Sequence, residues 1–163
     1  MITKSLSGRP IHTEHFPTKA KRVGGSLKTF PHLQVDQFYG SLLVDDEVKS
    51  IIECFEPDIH QFLLLEVSID RDVVNRRYAV NICKRMDMMN RSLTYPINER
   101  GFYKPYGSPD NRLVLSRQAV EGHHLWHDKY LVGTFVSDDL AEALRAAGVT
   151  GLHLSERVDE QPA

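Results

Sequence analysis

The sequence predicts an α+β fold: a single domain with a mixed, mainly antiparallel sheet and two principal helices. Three observations carry this. Two helix signatures, each opened by a capping residue and acids, stand far apart in the chain. Between them lie β-branched and aromatic runs of strand length. The length of 163 residues suits one domain able to bury its own core.

In chain order, residues 1–34 read as a basic arm interrupted by Pro10, Pro17, Pro31 and the Gly24-Gly25 pair, either extended into solvent or draped on the domain. Residues 35–156 form the predicted domain and 157–163 a polar tail. A short strand at Ser41–Val44 leads into a first helix over 46–55, with Ile51, Ile52 and Phe55 on one face and Pro57 closing it. Gln61 to Ile69 follows as a strand, and the Phe62-Leu63-Leu64-Leu65 run predicts burial on both faces. Asp70-Arg71-Asp72 supplies a turn, and Arg77 to Cys83 alternates as an antiparallel return strand. Arg85 to Asn90 fits one helical turn whose methionines fill core gaps. Residues 92–110 are loop, and residues 112–116 and 122–127 read as a hairpin.

The last unit is the most legible. Ser137 is placed as an N-cap, with Asp138 and Asp139 in the first turn, where carboxylates favour the positive end of the helix dipole. Leu140, Ala143, Leu144 and Ala147 recur at helical spacing, and Gly148 supplies the stop. Val149 to Leu154 then reads as a short strand. The earlier Leu43-Val44-Asp45-Asp46-Glu47-Val48 echoes Phe135 to Leu140, cap on cap and acid on acid, as if two strand–helix–strand units flank a different middle.

Bulk properties narrow the function classes. A net charge of −2 gives no electrostatic footprint for nucleic acid. No apolar run is long enough for a secretory signal or a membrane span, so a cytoplasmic location is expected. Cys54 and Cys83 form no CxxC pair and read as two buried, reduced thiols.

Little of the chemistry has a recognisable motif. No G-x-S-x-G, Walker-type or G-x-G-x-x-G sequence is present. His123 and His127, in Gly122-His123-His124-Leu125-Trp126-His127, would share one face of a strand or helix and are the weak candidates for metal ligands. They carry the alternative reading of a metal-dependent hydrolase. The aromatic loop 102–106 carries another, a small-ligand regulatory module. Otherwise no catalytic residue and no cofactor are expected. Asp45, Asp46 and Glu47 open a helix, which accounts for them first as caps and dipole partners.

Phe55-Glu56-Pro57-Asp58 before His60-Gln61-Phe62, then Gly122-His123-His124-Leu125-Trp126, Phe135-Val136-Ser137-Asp138-Asp139-Leu140 and Val149-Thr150-Gly151-Leu152, resemble immunity protein family eleven of bacterial polymorphic toxin systems. The motif positions are His60, Phe62, Trp126, Ser137, Asp138, Leu140 and Gly151, over roughly residues 33–156. A basic residue often follows the family's Trp, where this chain has His127. The resemblance implies a non-enzymatic cytoplasmic protein that binds a cognate protein toxin; charge and hydropathy point to no nucleic-acid or membrane partner, and the oligomeric state is not readable from the sequence. If that toxin is a basic nuclease, Asp45, Asp46, Glu47, Glu56 and Asp58 are the expected counter-surface.

Overall fold

The structure is a computed structural model that describes residues 7–21, 33–38, 40–68, 74–104, 110–155 and 159–161. The 69–73 turn, the Gly24-Gly25 pair and Tyr106 therefore lie outside the described residues. The strands are β1 Lys19–Lys21, β2 Val35–Phe38, β3 Ser41–Val44, β4 Gln61–Ser68, β5 Val74–Asn81, β6 Arg85–Met86, β7 Val114–Ser116, β8 Leu125–Asp128, β9 Phe135–Val136 and β10 Asp159–Gln161. The helices are α1 Asp46–Phe55, the short α2 Arg117–Val120 and α3 Asp138–Ala146.

Both principal helices form where local chemistry directs. The Asp45 carboxylate accepts the Val48 N–H at 2.9 Å, and Ser137 Oγ accepts that of Leu140 at 3.2 Å. At the far end of α3, Gly148 takes φ 68°. Its N–H donates to Arg145 O at 2.9 Å and the Val149 N–H to Leu144 O at 3.1 Å, the two bonds of a Schellman stop.

The main sheet has the order β1-β4-β5-β3-β2, with β1 parallel to β4 and the other pairs antiparallel, so the predicted α+β class with a mixed, mainly antiparallel sheet holds. One face carries Val44 and Val80 against Val48 and Ile52 of α1 and Leu140 and Leu144 of α3. The other carries Leu43, Leu63, Leu65 and Val67, covered by Ile11, Phe16 and Ala20. Two amides tie that N-terminal segment down. Gln61 pairs with the Ile11 backbone in both directions, at 2.8 and 3.1 Å, and Asn81 Nδ2 donates to Arg9 O at 3.0 Å. A third cluster gathers Met88, Met89, Leu115, Val120, Trp126 and Leu131 beside the small β6-β8-β9 sheet.

Several local expectations are corrected. Val149 to Leu154 is not a strand, because Gly151 at φ 80° breaks the extended run. Residues 112–127 are not a hairpin. The helix-favouring Arg-Gln-Ala sequence winds into α2, and β7 and β8 join different sheets. Arg85 and Met86 are extended and pair with β8 instead of forming a helical turn, although Met88 and Met89 are buried as gap-fillers. The helix layer covers β4 only near Phe62, which leaves Leu64 45% exposed. Cys54 is exposed, not buried, since two residues beyond Ile52 is about 200° around the helix. Cys83 is half-buried.

Candidate functional site

A buried carboxylate is costly unless several donors converge on it. Glu56 meets that condition. Pro57 ends α1 and leaves Glu56 at φ −136°, ψ 69°, and Asp58 at φ 60° turns the chain back into β4. The Glu56 residue is only 4% exposed. Its Oε2 lies 2.5 Å from His60 Nε2, while Oε1 accepts from Lys84 Nζ at 2.5 Å and from the His124 N–H at 2.7 Å.

The proton positions follow from the partners. His60 Nδ1 accepts the Cys83 N–H at 3.2 Å, so Nε2 carries the hydrogen donated to Glu56. Lys84 also donates to His123 Nδ1 at 3.2 Å. Ser137 Oγ, which accepts from Leu140, shares a hydrogen bond with His124 Nδ1 at 2.8 Å, and the Ser137 N–H donates to His124 O at 3.0 Å. One continuous network thus links the end of α1, the start of β4, the segment after β5, the approach to β8 and the cap of α3. Both oxygens of Glu56 and both ring nitrogens of His60 are engaged. The Cys83 thiol donates to Asn81 O at 3.4 Å and is pushed up in pKa by burial, against a weaker effect of a backbone bond at Gln61. The arrangement holds elements together and presents no activated nucleophile.

Burial alone would raise the Glu56 carboxyl, but the bonds from His60, Lys84 and His124 and the Lys84 charge together lower it from 4.5 to about 2. Because the folded value is the lower one, its stabilisation is fully present above the unfolded value and is lost as pH falls toward the folded value. We expect the urea midpoint to fall as pH drops from 4.5 toward 2, by the equivalent of about 3 kcal/mol, and Glu56→Gln to remove most of that dependence.

The weak metal pair is not assembled. His123 faces Lys84, and His127 Nδ1 donates to Gly133 O at 2.9 Å. His123 is held below its ordinary pKa by burial and then by the Lys84 charge; His127 is lowered by burial first and also by Arg85. Among the described residues, no group of three His, Cys, Asp or Glu is arranged to hold a metal ion. In the aromatic loop, Phe102 packs edge-on against Tyr130 with centroids 5.6 Å apart, and the Arg91 guanidinium lies 4.3 Å from the Tyr130 centroid.

The expected acidic counter-surface divides. Asp46 and Glu47 are exposed at the start of α1, where Asp46 accepts from Tyr78 Oη at 2.8 Å and Glu47 from Gln34 Nε2 at 2.7 Å. Asp45 is half-buried as the cap and Asp58 is exposed, whereas Glu56 lies inside the network. Its i,i+4 spacing to His60 was the one sequence signal of that role; nothing local marked Lys84.

The motif positions are mainly structural. Phe62 meets Tyr78 edge-on at 6.5 Å, Trp126 stacks on Phe135 at 6.0 Å, Ser137 and Asp138 open α3, and Leu140 is fully buried. Gly151 packs so closely on β2 that a Cβ there would lie 2.1 Å from Val35 O.

Beside it opens an apolar cleft of about 360 Å³ between β2, β3, α1 and α3. Val44, Val48, Ile52, Leu140 and Leu144 form its floor, and the exposed Gln37, Thr134 and His153 mark its mouth. These five residues are themselves nearly closed to solvent.

No curated protein and no solved structure matches the chain. A family match spans residues 12–159, and with it the chain belongs to the immunity protein family Imm11.

Proposed function

We infer that this chain is a non-enzymatic immunity protein of a polymorphic toxin system, which binds a cognate protein toxin in the cytoplasm and neutralises it. The carrying observation is the family match over residues 12–159. Two features agree with it. The buried charged network is saturated internally, as a scaffold's would be, and exposed carboxylates stand on the helix layer. Among the described residues, no helix is long and apolar enough to cross a membrane. Asp45, Asp46, Glu47 and Asp58 are the α1-side acids expected to meet the toxin, with Glu56 acting from inside by fixing the end of the helix.

Inhibition by binding needs an interface of standard size and no turnover. The test is a tagged pull-down from the native cells, followed by co-expression with the toxin that co-purifies. Growth should be restored, and the two proteins should elute together in fixed stoichiometry. Undiminished killing in the presence of soluble, folded chain would overturn the reading.

A further inference from the structure

Four of the chain's eight histidines, His60, His123, His124 and His127, gather where the end of α1, the start of β4, the segment after β5, β8 and the cap of α3 meet. Glu56 supplies the carboxylate bonded to this group, and Lys84 already balances its charge. Two of the rings are held in a form that leaves no place for a second proton. His60 directs Nε2 to Glu56 and accepts the Cys83 N–H at Nδ1, with its side chain fully closed to solvent. His123 accepts from the Lys84 ammonium at Nδ1, 3.2 Å away. A proton added at either Nδ1 sets donor against donor, and at His123 it also sets cation against cation. The other two rings differ. His124 meets Ser137 Oγ through Nδ1 in either protonation state, and His127 Nδ1 already donates to Gly133 O, so its second proton falls on Nε2 and breaks no bond.

We propose that this junction is an acid-sensitive latch: protons added to His60 and His123 break the Cys83 and Lys84 bonds and free the approach to β8, with the α3 cap, from the end of α1. The coupling is short. The His124 N–H held by Glu56 belongs to the peptide that joins His123 to His124, so when Lys84 and His123 part, that bond is the next to yield. Ser137, bonded to His124 through side chain and backbone, carries the change to the first turn of α3. The other charges around the cluster do not offset it. Arg85 adds a positive charge that acts on His127. Asp128 points to the opposite side of β8, where it accepts the Met88 and Tyr130 N–H groups, and Glu53 is engaged by Lys49. Asp58, Glu121, Asp138 and Asp139 are exposed, where water and salt screen them. His123 and His127 are both held below the ordinary histidine value of 6.5, by burial first. A folded value below the unfolded one gives stability that is complete above about 6.5 and is lost as pH falls below it, far above the range in which Glu56 takes up its own proton.

The experiment is amide hydrogen exchange on the full chain at about pH 7.5 and about pH 5.5, corrected for the intrinsic pH dependence of exchange. Protection of the His124 N–H and of the Leu140 N–H, which rests on the Ser137 cap, should fall about tenfold between the two, whereas Val80, in the central strand of the main sheet, should keep its protection. His123→Asn leaves beside Lys84 an acceptor that takes no proton, and His60→Gln keeps the donor to Glu56; each should remove about half of the loss or more. Where His60→Gln fails to fold, the half-exposed His123→Asn decides alone. Unchanged protection in wild type, a loss shared equally by Val80, or a folded variant of either kind that loses as much as wild type would each overturn the proposal.

Discussion

Glu56→Ala should destabilise the protein by about 3–5 kcal/mol, the range for removing one partner of a buried ion pair. Three donors lose their acceptor at once: His60 Nε2, Lys84 Nζ and the His124 N–H. His60 is buried and Lys84 mostly so, so water replaces little of what is lost. The damage should spread along the network, because His124 also contacts the α3 cap through Ser137. Glu56→Gln keeps the volume and one acceptor oxygen, and we expect it to fall between wild type and Glu56→Ala. Urea unfolding at pH 7 measures all three. A loss below about 1 kcal/mol for the alanine variant would mean that the network contributes no more than a surface pair.

The contrast between this network and the helices shows what the sequence could reveal. Both ends of α1 and of α3 were legible because caps, first-turn acids, Pro57 and the Gly148 stop act within a few residues. The α+β class followed from the alternation of such helices with strand-like runs. Pairings between distant segments left no such mark. The parallel joining of β6 to β8 depends on contacts across some forty positions, so Arg85 and Met86 looked like part of a helical turn. Glu56 looked like surface because a carboxylate beside Pro57 and Asp58 ordinarily is; its burial depends on Lys84 and His124, which the fold delivers from elsewhere. The motif residues were visible, but their role as frame was not. Trp126, Ser137 and Leu140 acquire it only once β8 and α3 are brought together.

Gly151→Ala should be the most damaging small substitution, costing about 3 kcal/mol or more through two separable effects. At φ 80° an alanine is strained, and its Cβ would lie 2.1 Å from the Val35 carbonyl oxygen and 2.8 Å from Leu33 Cβ. The first obstacle is backbone, so no side-chain rotation relieves it. Gly148 provides the internal control, since its φ of 68° imposes the same strain but nothing lies within 4 Å of an added Cβ. Gly148→Ala should therefore cost only about 1 kcal/mol, and the difference isolates the clash. Relief of that clash requires residues 149–154 to leave β2, breaking the Val35 N–H bond to Thr150 O at 3.0 Å and the Gln34–Thr150 bracket. Equal costs for the two glycines, read from paired thermal melts, would show that the close approach to Val35 is not what holds this segment in place.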